Sequence, residues 1–285
     1  MQRFVDIRTL SFTFGVIFLV LCLCMSYVSL TRKTYRGFNG WTAASLLNFL
    51  GLVLLSGRGL LPEALSVVIP NACIAAFTLL VTRGLLFYLG RTPQAGLAVL
   101  PALYLAGIVV LTYPFPSVSG RILLNSLLAL VFFGFNTACL LRFAPAGLTS
   151  SCRFLAAVLG LQLPWWLFRF AYTAVAEMDI RDFMAASRVQ GWTFLLGSAG
   201  TVALFLGLII LNAQRIESEW RQAQEEVRTL RGIIPICASC KKIRDARGIW
   251  NQLESYIRNH SDAEFSHGLC PECTRQLYGD GGQRG

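Results

Sequence analysis

Long apolar runs separated by short polar segments fill most of the chain, and a narrower heptad-like pattern follows them. A hydrocarbon core takes roughly 20 apolar residues per helix. Seven runs approach that scale, at about 10–30, 41–57, 64–82, 94–112, 122–141, 154–176 and 192–211. The second is short and ends in Ser56-Gly57-Arg58-Gly59. The third carries Pro70 and Asn71, where a kink and a polar group coincide. Neighbouring helices re-satisfy backbone groups freed by such prolines, and Pro101 and Pro164 are read in the same way. After Leu211 the chain turns polar. Ile209, Ile216, Trp220, Ala223, Val227, Leu230 and Ile234 follow a step of seven and then steps of 4-3-4-3-4. That is an a/d seam, with Arg and Glu filling the other positions. A helix lying on the bilayer needs a broader apolar face. The stripe over 213–232 therefore predicts a parallel dimeric stalk, with Ile216, Trp220, Ala223, Val227 and Leu230 as its seam.

Composition strengthens the membrane reading. Hydrophobic residues make up 55% of the 285 residues and charged ones 14%, against about 25% charged in a soluble domain. Mean hydropathy is +0.57. The net charge of +10 does not point to nucleic acid, because the basic residues before Arg215 are scattered between apolar runs. They suit lipid headgroups and chain orientation, and no nucleic-acid partner is expected. The first apolar run exceeds a typical signal-peptide core and no small-residue cleavage site follows it, so it reads as a retained span.

Seven spans place the termini on opposite sides. Lys and Arg nearly balance between the two sets of loops, and the basic stretch beyond residue 214 tips the C-terminus inward and the N-terminus outward. Free thiolates also favour the reducing cytoplasm. No Asp or Glu lies clearly inside a run, which disfavours a carboxylate proton relay or a cation transporter. His260 and His267 both fall beyond the spans, which excludes a bis-His haem, and no lysine in the last span could hold retinal. Asn48, Asn71, Asn125, Asn136 and Gln162 read first as helix-to-helix hydrogen-bonding groups. Arg169, in Trp165-Trp166-Leu167-Phe168-Arg169-Phe170, has two readings. It snorkels to headgroups beside an aromatic belt, or it lines a pocket for an anionic or aromatic ligand. In the second reading Gln162 and Tyr172 share its helix face and the loop 177–188 covers the pocket.

The chemistry-bearing motif lies near the C-terminus: Cys237-Ala-Ser-Cys240 and Cys270-Pro-Glu-Cys273, with 29 residues between the pairs. Two such knuckles supply four thiolates to one tetrahedral Zn²⁺, a structural zinc ion. The other cysteines, Cys22, Cys24, Cys73, Cys139 and Cys152, lie in or beside apolar runs and read as small hydrophobes. A hairpin is expected to turn at Asp245–Gly248. A short helix follows over 252–260 with Leu253, Tyr256 and Ile257 inward, and a final helix starts at Pro271 and ends at Tyr278. So small a module depends on metal for folding energy. His267, three residues before Cys270, reads as a hydrogen-bond donor to a thiolate or a packing residue more readily than as a ligand. Lys241, Lys242 and Arg244 either offset the charge of a Zn(Cys)₄ centre, touch lipid phosphate, or form a solvated face.

Two resemblances follow. The stretch from Gly59-Leu-Leu-Pro-Glu to Asn71, with Arg83-Gly-Leu-Leu-Phe-Tyr-Leu-Gly-Arg91, resembles the multi-span sensor region that precedes GGDEF-type diguanylate cyclase domains, although no GG(D/E)EF run occurs in this sequence. The run Ile234-Pro-Ile-Cys-Ala-Ser-Cys-Lys-Lys-Ile-Arg-Asp245, with Gly248, Trp250, Phe265-Ser-His-Gly268 and Cys270-Pro-Glu-Cys273, is similar to a C-terminal segment found after sensory domains in bacterial signalling proteins. The resemblances imply signal reception and relay, without implying catalysis.

The expected fold is an all-α polytopic membrane protein with seven transmembrane helices (1–212), a coiled-coil connector helix (213–232) and a small α+β zinc-ribbon-like module (233–279). A disordered tail (280–285) follows. The expected role is a non-enzymatic, homodimeric sensor or adaptor of the bacterial inner membrane that docks a cytoplasmic protein. The alternative is a thiol redox switch or oxidoreductase using the Cys-x-x-Cys pairs. A transporter fits less well, lacking intramembrane carboxylates and a visible inverted repeat.

Overall fold

The computed structural model describes residues 6–145, 147–178, 180, 183–184, 188–231, 235–245, 248–260 and 264–279, with the side chains of 225–231 and 260 outside the description. The expected tail at 280–285, the seam position Ile234 and part of the loop 177–188 therefore fall outside it. The chain divides into two compact units, Met1–Glu219 and Trp220–Gly285.

The first unit is helical. It contains α1 (Ile7–Thr31), α2 (Phe38–Ser56), α3 (Ile69–Tyr88), α4 (Val99–Val110), α5 (Val118–Arg142), α6 (Thr149–Gly160), α7 (Gln162–Ala176) and most of α8 (Arg188–Arg231). Among the described residues six helical segments are long and apolar enough to cross a membrane: Ile7–Thr31, Phe38–Ser56, Ala64–Tyr88, Val118–Arg142, Thr149–Ala176 and Arg188–Gln224. The run expected as a fourth span is shorter, an apolar helix over Ala95–Val110 that opens with a 3₁₀ turn, Ala95–Ala98. Its α-helical part begins two residues before Pro101, as proline's tolerance for a first turn allows.

Local chemistry sets the breaks. Asp6 caps α1 by accepting from the amides of Arg8 and Thr9, and Ser117 caps α5 through Gly120. Pro70 is absorbed by a π-helical turn, Ala64–Val68, that runs directly into α3. Pro164 follows the break at Leu161 between α6 and α7, where its missing N–H removes a ladder bond. At Gly37, φ is +109° and a Cβ would lie 2.4 Å from the Gly84 carbonyl oxygen, so this turn admits only glycine.

Apolar side chains lie on both sides of the helices. Phe18, Met25, Trp41, Tyr88, Phe132 and Phe205 form part of one continuous core, while α4 joins it through a smaller cluster of Tyr104, Ile108, Ala75 and Leu128. Leu30, Leu103, Phe154, Leu161 and Val175 face outward, up to 86% exposed. A soluble bundle does not clothe itself this way, whereas hydrocarbon solvates such a surface at no cost.

The bundle has two distinct ends. At one, Tyr88 donates to the Leu211 carbonyl (2.7 Å), Arg215 to the Tyr88 carbonyl (2.8 Å), and the Tyr35 amide to Asn212 (3.2 Å). Lys33 pairs with Glu219 there at 2.9 Å. At the other, Arg8 donates to the Arg58 carbonyl (2.8 Å), Arg121 to Thr112 (3.2 Å) and Ser119 to the Glu177 carbonyl. The α4 segment joins these ends: Arg91 before it lies over Phe143, 4.3 Å from the ring centre, and Thr112 after it meets Arg121.

The second unit holds the end of α8, a two-stranded antiparallel ribbon β1 (Ile243–Arg244) and β2 (Trp250–Asn251), and helices α9 (Leu253–His260) and α10 (Pro271–Tyr278). Register pairs Ile243 with Asn251 and Arg244 with Trp250. Gly248, at φ +85°, closes the turn by donating to the Asp245 carbonyl at 3.0 Å. These elements coincide with the hairpin and helices expected from the sequence.

Candidate functional site

The first unit holds a cavity of about 200 Å³ lined by α1, α2, α3, α5, α7 and α8. Arg58, Arg121, Arg169, Gln190 and Phe183 line it at the end that carries Glu177. Asn48, Asn71, Asn125, Ser126 and Thr193 form a middle layer, and Phe18, Phe77, Phe132, Phe133 and Thr201 lie deeper. Helix α8 contributes Gln190, Thr193, Phe194, Gly197, Ser198 and Thr201, five of them polar or glycine, so one stripe faces inward.

Arg169 is completely buried. It pairs with Glu177 and donates to Gln190 Oε1 at 2.5 Å. Thr173, one turn on, donates to the Arg169 carbonyl at 2.9 Å. The Arg169 Nε is buried without a hydrogen-bond partner. This corrects the snorkelling reading: a headgroup-seeking arginine keeps its guanidinium in water, and this one is sealed in an ion pair that low dielectric strengthens. The loop expected over 177–188 does begin directly after α7, and its first residue, Glu177, is the buried C-cap that turns back to Arg169. The spacing of Arg169, Thr173 and Glu177 was visible in the sequence, but a carboxylate just past a helix end reads as solvent-facing until packing shows otherwise.

The partners expected for Arg169 are placed elsewhere. Gln162 packs against Gly200, where a Cβ would lie 2.0 Å from its Nε2, and Tyr172 stacks on Phe168 at 5.6 Å. Neither lines the cavity. Two amides expected to bind helices together do so: Asn136 donates to Thr82 at 3.0 Å, and Asn71 accepts from Tyr104.

In the second unit each cysteine pair forms a knuckle. The Cys237 amide donates to the Lys242 carbonyl (2.9 Å), and the Lys241 amide returns to the Cys237 carbonyl (3.0 Å). Lys241 takes φ +59° to make that turn. Cys270 caps α10, its sulfur accepting from the Cys273 amide at 3.4 Å. The Cys240 and Ser239 amides lower the Cys237 thiol below the ordinary cysteine value, and the Cys273 and Glu272 groups do the same for Cys270. Each pair thus fits half a tetrahedral thiolate site. Among the described residues, however, no three His, Cys, Asp or Glu groups converge as a metal set, and His267 is exposed. Of the hairpin, Ile243 is buried at 1% exposure; Tyr256 and Ile257 are half-buried and Leu253 is exposed.

No protein-family model, curated protein or solved structure matches this chain. The resemblances drawn above therefore rest on their motifs alone.

On α8, Ile216 is half-buried, while Trp220 is 65% exposed and Ala223 is open. Val227 and Leu230 lie in the same helix, with side chains outside the described residues.

Proposed function

We propose that the chain is a non-enzymatic membrane sensor or adaptor in bacterial signal transduction. A cue enters the cavity, α8 relays it, and the cysteine module passes it to a cytoplasmic protein. One observation carries this reading: α8 forms a wall of the cavity and continues as a single helix to Arg231, through the seam positions. A ligand that repositions the Gln190–Thr201 face acts on the same helix that carries Ile216, Trp220 and Ala223. Relay by helix rotation or register shift needs two packings close in energy, which a coiled seam supplies.

In this reading the α4 segment crosses as a seventh span. About 16 residues of helix reach roughly 24 Å, less than a typical 30 Å core, a mismatch that local thinning absorbs. The N-terminus then faces out and the C-terminus lies in the cytoplasm, in the inner membrane of a bacterium. Two chains pair along Ile216, Trp220, Ala223, Val227 and Leu230, and Trp220's exposure in the single chain is what an unfilled seam position presents. Cys237, Cys240, Cys270 and Cys273 hold a structural zinc that fixes the module's fold and leaves its surface to a partner. His267, three residues before Cys270, is assigned a hydrogen-bonding or packing role beside the thiolates rather than ligation, because four cysteines already complete the tetrahedron.

The lowered thiols of Cys237 and Cys270 also favour the redox alternative, since thiolates are the reactive form. Metal analysis of purified full-length chain, paired with thiol titration, separates the two. One zinc per chain with four protected thiols is expected; zinc-free protein with four freely titrating thiols sinks the adaptor reading.

A further inference from the structure

We infer that the face formed by α3, α4 and α5 holds one anionic glycerophospholipid, its phosphate on Arg91 and Arg142 and the upper part of one acyl chain in the groove beneath them. The inference goes beyond the sensor reading and needs only that the helices stand in a bilayer. In the orientation proposed above, the lipid belongs to the cytoplasmic leaflet.

The head site is built on one ring. Arg91, between α3 and α4, and Arg142, the last residue of α5, both lie over Phe143, at 4.3 and 5.9 Å from its centre. Stacking fixes a guanidinium plane and leaves its N–H edge open, in the fork that suits phosphate oxygens. Both arginines are exposed, and among the described residues neither joins an ion pair. Two like charges sharing a ring repel, a cost that a bound anion offsets. No Asp or Glu occurs in 89–98 or 141–153. The carboxylates Glu217 and Glu219 at this end belong to α8, and Glu219 is engaged by Lys33 at 2.9 Å.

The tail site follows along the same helix. A groove of about 170 Å³ runs between α3, the start of α4 and α5. On α5 its wall extends from Leu128 to Phe135, so it begins seven residues before Arg142, a rise of about 10 Å. Leu100, Val131 and Phe135 line it and are partly exposed, so it opens on the side that faces hydrocarbon. Its two hydroxyls are engaged: Thr78 donates to the Ala75 carbonyl at 2.8 Å, and Thr82 accepts from Asn136 at 3.0 Å. A trough whose polar side chains are already engaged takes a hydrocarbon chain in preference to water.

Size and charge set the ligand class. The groove compares with about 150 Å³ for an engineered cavity that takes benzene. It therefore holds part of one chain and leaves the second chain in the bilayer. Two cations whose own loops carry no carboxylate favour a net-anionic headgroup. A phosphocholine group brings its own cation to the same place and meets repulsion. A phosphate without a chain forfeits the groove.

The test uses full-length chain, delipidated in detergent and titrated with phosphatidylglycerol, phosphatidylcholine of the same chains, and glycerol phosphate. Native mass spectrometry reads the bound lipid, and the lipid-free thermal midpoint shows that each variant folds. One phosphatidylglycerol per chain is expected, at least tenfold tighter than phosphatidylcholine, with no competition from glycerol phosphate at equal concentration. Arg91→Gln with Arg142→Gln is expected to weaken binding tenfold or more. Val131→Phe or Leu100→Trp, each filling the groove away from the arginines, does the same. Arg32→Gln, a cation at the end of α1, leaves binding unchanged. Equal binding of the two lipids, competition by glycerol phosphate, or an equal loss in Arg32→Gln overturns the inference. Binding indifferent to either the arginine pair or the groove substitutions overturns it too. So does a dimer that Val131→Phe breaks without changing lipid binding, which assigns the groove to a second copy. None of these outcomes bears on the zinc and seam measurements that decide the sensor reading.

Discussion

Arg169 and Glu177 place opposite charges in a site where neither alone is tolerated. Replacing one partner strands the other in low dielectric, at about 3–5 kcal/mol, whereas replacing both with apolar groups is often near neutral. Arg169→Ala is therefore expected to lower the thermal midpoint sharply, and Arg169→Met with Glu177→Leu to restore most of the loss. Equal destabilisation by the single and double variants would contradict the pairing. The cysteines give a pH prediction. Backbone amides hold the folded thiol values of Cys237 and Cys270 below their unfolded ones. Their thiolates then contribute stability above the unfolded thiol value, and it is lost as pH falls through the folded one. Zinc release from the full-length chain is expected on acidification, since protons compete for the same sulfurs. Release on raising the pH from neutral would run against this. The sequence reading identified Arg169 as unusual but misassigned its partners. An arginine near a span end looks the same whether it snorkels or folds inward, and only packing decides.

At the scale of elements, periodicity was a good guide where one face or one composition dominates. The hairpin at Asp245–Gly248 and the helix starting at Pro271 were legible because a turn glycine and an N1 proline have fixed backbone uses. The cavity was not legible, since its wall draws scattered residues from six helices. The Gly37 turn makes a separate prediction. Gly37→Ala forces a left-handed residue against the Gly84 backbone, with strain of about 1–3 kcal/mol expected. Gly84→Ala meets Trp41 Nε1 at 2.4 Å and should behave alike. A midpoint unchanged in both variants would show that this α2–α3 contact is looser than described.

For the whole molecule, hydropathy counted seven runs, and length alone admits six helices as spans. The difference lies in the α4 segment, whose polar contacts tie its two flanks to opposite ends of the bundle. Reporter fusions after residue 92 and after residue 115 are expected to fall on opposite sides of the membrane, with the C-terminal fusion cytoplasmic. Both fusions on one side would reduce the count to six and place the termini together. The central claim is that a cue in the cavity reaches the seam through α8. Its most direct measurement is disulfide cross-linking of Ala223→Cys in native membranes, against the unsubstituted chain and in a Ser198→Phe background that fills the cavity. The account predicts a dimer specific to the substitution, whose yield shifts when Ser198→Phe fills the cavity. A yield no greater than in the unsubstituted chain, or one unmoved by filling the cavity, would contradict it.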